Sequence, residues 1–409
     1  MTEATGTSVT GSVRPVGATA IAARSLAPDL ARGAMLLLIA LANSHVYLHG
    51  HSIGVRGYPV VDTMPDRVVV LLQMTLVDGR AYPMFAALFG YGIVQLLRRQ
   101  TSGGLDPVAV RKLVRRRGGW MVLFGFVHAL LLFSGDIIGA YGLLAVVLAG
   151  LLIRGSDRKL LVLAGLWIIP TMLFGASQGL PLPEESEAFL PSMGSSDPLV
   201  AAGFRVGEWV LLTVVIALFT LVPALLIGVW AARRRLLDDP EQHRRFLVCA
   251  AVIGLGLAVV GGLPMALQAA SWWQEPTIAA GMLAGLLHAV TGYAGGIGYA
   301  AVAGLVAIRV RDRSGPVVTA LAACGQRSMT CYLAQSVVFV AVLAAYGGGL
   351  GDRLGIAQTA LLAIATWAVI VVAAEAMRRR GYRGPAEVLL RRLTYGRLTY
   401  GRRPSEPAR

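Results

Sequence analysis

The sequence predicts an all-α fold, a polytopic transmembrane helical bundle of about ten spans with both termini in the cytoplasm. Three observations lead there. The chain is 56% hydrophobic and only 14% charged over 409 residues, and its mean hydropathy is +0.66, far from the balance of a water-soluble domain. Apolar runs near the ~20 residues needed to cross a bilayer recur along its length, separated by short polar connectors. Basic residues fall almost entirely on alternate connectors, as the positive-inside rule requires.

Taken in order, the runs place spans at Leu30–Leu48, Met74–Leu97, Gly119–Phe133, Ile137–Ile153 and Leu160–Gly179. Five more follow at Val210–Ala231, Phe246–Ala269, Ala279–Ile308, Met329–Tyr346 and Ile356–Met377. The eighth carries small-residue pairs four apart, Gly281 with Gly285 and Gly292 with Gly296, a spacing that lets two helices approach closely. Setting the N-terminus inside puts 31 of the 37 Lys and Arg residues on inner segments. Only Arg56, Arg67, Arg80, Arg205 and Arg353 fall outside, with Arg327 at the inner edge of the ninth span. An odd number of spans would destroy this division.

The net charge of +15 does not point to nucleic acid. Its clusters (Arg115–Arg117, Arg233–Arg235, Arg378–Arg380) abut apolar runs on one side, so they act as topology determinants or meet anionic inner-leaflet lipid. Residues 1–23 read as a disordered tail and 397–409 as a basic C-terminal tail, disordered after Arg402. The first 25 residues lack a cleavable signal, which makes the first span an uncleaved anchor. Cys249, Cys324 and Cys331 have neither disulfide nor metal spacing. The connector Leu180–Gly207, rich in Pro and Glu, is a linker or a lid. Arg392–Gly396 and Arg397–Gly401 repeat RLTYG, which is too short to define a repeat architecture.

Ionisable groups beside or inside spans are costly to bury and so become functional candidates. Asn43, His45, His49 and His51 cluster after the first span. His45 and His49, at i and i+4, share a helical face, but no acidic or cysteine ligand accompanies them, so no metal is expected. His45, the deepest, suits a general base. In GFVHALLLFSGDIIGAYGLL, His128, Asp136 and Tyr141 gather toward the outer leaflet. His128 is either a satisfied core histidine or a site residue, and Asp136 either caps the fourth span or binds substrate. Asp78 and Arg80 open the second span as an interfacial pair, or as a clasp for a carboxylate or headgroup. His288 stands alone in the eighth. Near the inner face, Asp29, Arg32, Arg327 and Glu375 either neutralise one another across helices, or Arg32 and Arg327 take the phosphates of a cytosolic donor. GASQG at Gly175–Gly179 spells a nucleophile elbow but ends an apolar helix, which disqualifies Ser177.

DLARG (Asp29–Gly33), FAALFGYG (Phe85–Gly92), the His128–Tyr141 stretch, GQRSMTCYLAQS (Gly325–Ser336) and YRGPAEVLLRRLTYG (Tyr382–Gly396) together resemble the YeiB-like family of bacterial membrane proteins, a domain of unknown function. The resemblance covers Ala27 to Gly396 within a transmembrane domain of residues 24–396. It implies a multi-pass protein of the bacterial plasma membrane. It also implies kinship with the transmembrane acyltransferases that include heparan-alpha-glucosaminide N-acetyltransferase. Those enzymes carry an acyl group from a cytosolic thioester to an acceptor across the membrane. Membrane lipid and a lipid-linked or envelope acceptor are the implied partners, and acyl-CoA the implied co-substrate, with no permanently bound cofactor. The carried-over catalytic roles fall on Asn43 and one of His45, His49 or His51, although the histidine spacing differs from that of the acetyltransferase. His128, Asp136 and Tyr141 follow the YeiB-like pattern more directly. The rival reading is a small-molecule transporter or exporter using the same polar residues.

Overall fold

The computed structural model describes residues 25–180, 186–311 and 315–396; both tails, the second RLTYG copy and the start of the acidic connector lie outside these. Among the described residues the regular structure is helical, with isolated bridges at His49–Ala188 and Ile53–Pro59 in place of strands. The helices are α1 (Leu26–Ser44), α2 (Met64–Leu76), α3 (Ala81–Ser102), α4 (Pro107–Leu131), α5 (Ile137–Arg154), α6 (Asp157–Gln178), α7 (Pro191–Gly194) and α8 (Pro198–Val215). They continue with α9 (Val222–Arg233), α10 (Arg244–Ala269), α11 (Ile278–Arg309), α12 (Pro316–Gln326), α13 (Ser328–Leu343), α14 (Ile356–Arg379) and α15 (Pro385–Tyr395). A π-helical segment, Ile216–Leu221, joins α8 to α9.

Among the described residues, seven spans are long and apolar enough to cross a membrane: Leu26–Tyr47, Ile137–Arg154, Asp157–Gln178, Pro198–Arg233, Arg244–Ala269, Ile278–Arg309 and Ile356–Arg379. Of the remaining helices, α3 packs against α9 and α11, α4 against α5, and α13 against α14 and α1. Outward faces are apolar: Val252, Val260, Leu173, Leu361 and Val372 are all exposed, the pattern of surfaces solvated by hydrocarbon rather than water.

Boundaries follow local chemistry that hydropathy does not see. Asp106 caps α4 through the Val108 N–H (3.1 Å) and Pro107 presets its first turn. The helix therefore begins twelve residues before the apolar run at Gly119, and carries Arg111 to Arg117 as helical turns. Asp197 caps α8 in the same way, accepting from Leu199 at 2.8 Å, so helix replaces the latter part of the expected Leu180–Gly207 loop. The second expected span, Met74–Leu97, is divided by a turn at Asp78–Arg80. Gly79 there has φ +76°, and a Cβ on it would sit 2.7 Å from His288 Nε2, so glycine is needed on both counts. The close approach read from the glycine pairs of α11 is present: Gly281 and Gly285 pack against Gly179 and Gly175 of α6.

Arginine-bearing helix ends meet at one face. Arg233 bonds the Gly155 carbonyl (2.6 Å) and Asp157 (2.9 Å), Arg98 pairs with Asp238 (3.3 Å), and Arg311 pairs with Glu241 (2.9 Å). Ser25, at the start of α1, bonds the Leu237 carbonyl on the same face. The opposite face is closed by connectors. His49 Nε2 lies 3.2 Å from the Leu343 carbonyl, His51 Nε2 3.2 Å from that of Gly351, and Leu190 and Met193 are buried among Tyr47, Phe133, Phe339 and Leu343.

Candidate active site

Three helices converge on His128. It occupies the last turn of α4 and is buried there. Asp136, the N-cap of α5, uses both carboxylate oxygens: Oδ2 accepts from the Gly139 N–H at 2.5 Å, and Oδ1 lies 2.9 Å from His128 Nδ1. The expected capping role of Asp136 is present, and the same side chain also holds His128. With the Nδ1 proton donated to Asp136, Nε2 presents its lone pair to the Ser336 hydroxyl of α13, 2.9 Å away. The His128 and Asp136 side chains are 1% and 0% exposed, and Ser336 is 3% exposed. The Tyr332 ring stands 5.2 Å from the imidazole. Such a Ser–His–Asp chain is recognised by geometry rather than by sequence order.

Space for the carboxylate is made by α4 itself. A Cβ at Gly125, one turn before His128, would collide with Asp136 Oδ2 and the Gly139 amide. No other residue there keeps the α4–α5 contact and the buried carboxylate together.

Below this cluster lies a cavity of about 1560 Å³, larger than the ~300–1,000 Å³ of ordinary small-ligand pockets. Its lining runs from Arg98, Arg99 and Tyr395 at the arginine-rich face to Phe85, Ile137, Tyr141 and Tyr332, and contains six arginines against three acidic residues. The Tyr141 hydroxyl is buried at the inner end and has no hydrogen-bond partner in the structure. Ile137 directly follows Asp136, so the inner wall of the cavity is the near side of the His128 cluster.

A second buried polar group lies at the α2–α3 turn. Arg56 Nε donates to Asp78 Oδ2 (2.5 Å) and its Nη2 to Asp78 Oδ1 (3.0 Å), while Tyr82 bonds both partners. Burial works against the Arg56 charge, but the Asp78 carboxylate outweighs it and holds the guanidinium firmly protonated. Arg80 is fully buried. It donates to the carbonyls of Asp78 (2.5 Å) and Ala258 (2.6 Å) and meets the His288 ring at 3.0 Å. His45 stacks on Tyr58 with ring centroids 3.8 Å apart, beside this ion pair.

The expected site residues thus divide. His128 and Asp136 share one cluster, with Tyr141 at the adjoining cavity end. His45, Asp78, Arg80 and His288 share another. Asn43 is half-buried at the end of α1, and His49 ties connectors together. Arg32 lines the cavity and bonds Asp29 (3.2 Å) and the Leu88 carbonyl (3.2 Å). Arg327 is not part of the cavity lining; it bonds the carbonyls of Ala323 (2.9 Å) and Tyr382 (2.5 Å). Glu375 pairs with Arg378 (2.7 Å) and Arg379 (2.8 Å). Asp29 with Arg32, and Glu375 with Arg378 and Arg379, are pairs within one helix, where i,i+3 and i,i+4 partners are in reach. Arg98–Asp238, Arg233–Asp157 and Arg311–Glu241, by contrast, join different segments of the same face. Ser336, Tyr332 and the Arg56 partner of Asp78 escaped sequence reasoning. The sequence signals for Ser336 were its place at the end of the GQRSMTCYLAQS motif and a second polar residue, Gln335, beside it inside an apolar run.

Fold and site together define a helical membrane protein with a buried Ser–His–Asp cluster behind the Ile137 and Tyr332 wall of a cationic cavity. Residues 231–397 match the family model described as a protein of unknown function (DUF418), a segment that contains Ser336 but neither His128 nor Asp136. The chain is also 28% identical over 341 residues to the uncharacterized protein YxaH of Bacillus subtilis (strain 168), covering 76% of this chain and 78% of that one.

Proposed function

We propose that the protein spans the bacterial plasma membrane ten times, with both termini in the cytoplasm, and transfers an acyl group from a cytosolic thioester to a lipid-linked or envelope acceptor. One observation carries this reading: a large cavity, arginine-rich at its mouth, ends at Ile137, Tyr141 and Tyr332, residues adjacent in the chain or in space to a histidine oriented by a carboxylate. α3, α4 and α13 supply the three spans beyond the seven apolar ones. In that orientation the mouth faces the cytosol, where arginine forks suit the phosphates of a donor of the acyl-CoA class. Tyr141 offers a free hydroxyl at the depth where the acyl carbonyl would lie, and His128 is the base that removes a proton from the attacking group. Asp136 fixes the tautomer and stabilises the imidazolium. The kinship with transmembrane acyltransferases that the YeiB-like resemblance implies favours the same assignment.

Full-length protein in nanodiscs, given radiolabelled acetyl-, butyryl- or palmitoyl-CoA and a membrane-lipid extract, should move label into lipid. His128→Ala should abolish the transfer. A rate unchanged by that substitution would sink the proposal. A cavity open to one face is also what an inward-facing carrier presents, so proton-driven flux with no dependence on acyl-CoA would replace enzyme with transporter.

A further inference from the structure

We infer that Ser336 is an acyl-carrying nucleophile, so that the group crosses from donor to acceptor as a covalent ester on α13. The inference rests on the acyl-transfer reading and adds a step to it. Its first support is where the serine hydroxyl goes. Some hydroxyls within these helices turn back onto the carbonyl four residues earlier, Thr220 onto Ile216 (2.7 Å) and Thr291 onto Leu287 (2.8 Å), a usual local solution for a hydroxyl in an apolar helix. Thr171 divides its hydroxyl between Trp167 (3.1 Å) and the Phe219 carbonyl across the bundle (2.7 Å). Ser336 bonds across the bundle to His128 Nε2. A hydroxyl whose only task was to be satisfied would not need a histidine already held by a carboxylate.

The second support is position. Ser336 sits one helical turn beyond Tyr332, and Tyr332 lines the inner end of the cavity. Toward the opposite face, Tyr47, Phe339 and Leu343 pack with Leu190 and Met193 of the connector that closes it. The hydroxyl thus stands between the two compartments that the proposed donor and acceptor occupy. A base without a nucleophile would require both substrates to reach one point together. An acyl-serine lets each enter from its own side, with the Tyr332 ring moving to admit the thioester.

The step balances. Ser336 Oγ attacks the thioester carbonyl carbon while its proton passes to His128 Nε2. The C–S bond breaks, the thiolate takes that proton and leaves as free thiol, and the acyl group remains on Oγ. An acceptor hydroxyl then gives its proton to His128 and attacks the ester, and Oγ recovers the proton as the acyl group departs.

The test uses the intact protein in nanodiscs with two probes, radiolabelled acyl-CoA without acceptor and a fluorophosphonate. The expected result is acid-stable, alkaline-hydroxylamine-labile label and a fluorophosphonate adduct, both mapped to Ser336. Ser336→Ala should lose both labels and lipid transfer, and Ser336→Cys should retain acylation as a thioester. His128→Ala should slow adduct formation at least about a hundredfold. Lipid transfer that survives Ser336→Ala without a protein-bound intermediate would overturn the covalent step and leave acyl transfer standing. Wild-type protein that neither takes label nor transfers it would overturn both.

Discussion

At the residue scale, Asp136 is where structure and chemistry are hardest to separate, because one carboxylate caps α5 and orients His128. Substitution separates them. Asparagine is as good an N-cap as aspartate, so Asp136→Asn should leave the melting temperature within a few degrees of wild type. It should nevertheless cut acyl transfer about a hundredfold or more, since the imidazole loses its anionic partner. Asp136→Ala should do both, costing about 1 kcal/mol of stability as well. Thermal unfolding in detergent beside the transfer assay distinguishes the two. The second cluster predicts a different response. The Asp78 carboxylate pairs with the half-buried Arg56, and the Asp78 backbone carbonyl accepts from the buried Arg80. Asp78→Asn leaves the Arg56 charge uncompensated and should destabilise the protein by about 3–5 kcal/mol. A normal melting temperature in that variant would show that the ion pair is dispensable.

At the scale of elements, the α4–α5 hairpin and the α7 cap position the cluster. Gly125 lets α4 lie against Asp136 and Gly139. Gly125→Ala should displace the carboxylate and cost about 1–3 kcal/mol through overpacking, with transfer falling further than the loss of fold explains. On the other side, α7 is fastened by Glu208 of α8, which accepts from the Ser192 N–H (2.9 Å), the Ser192 hydroxyl (2.7 Å) and the Ser134 hydroxyl (2.6 Å). One carboxylate thus ties the cap to the α4–α5 turn. Glu208→Ala should release α7 and expose Leu190 and Met193. Hydrogen exchange over residues 186–197 should rise relative to wild type. An unchanged exchange profile would mean that apolar packing alone holds the cap.

At the scale of the whole molecule, function depends on sidedness. The proposed orientation puts the arginine-rich face in the cytosol, where cationic ends meet anionic lipid and thioester phosphates. In a cysteine-free background, Ser52→Cys should react with a membrane-impermeant maleimide in intact cells. Ser102→Cys should react only after permeabilisation. The reverse pattern would invert the topology and place the cavity mouth outside.

Composition and basic-residue placement made the helical, membrane-embedded character legible, because a bilayer leaves its mark on long stretches of chain regardless of how they pack. The partnership of His128 with Asp136 was half legible, since eight residues across one tight turn can hardly lie far apart. Helix starts such as Pro107 and Pro198 were written in capping residues that hydropathy overlooks. Ser336 was not legible as a partner: 208 residues separate it from His128, and nothing local in α13 distinguishes a serine facing a histidine from one turned back on its own helix. The same holds for Arg56, which finds Asp78 only because the connector after α1 folds over the α2–α3 turn. By itself the sequence determined the solvent this chain is built for, since that depends on summed apolar area. Which buried polar groups meet was decided only in the tertiary structure, because that depends on contacts of a few ångströms between distant segments.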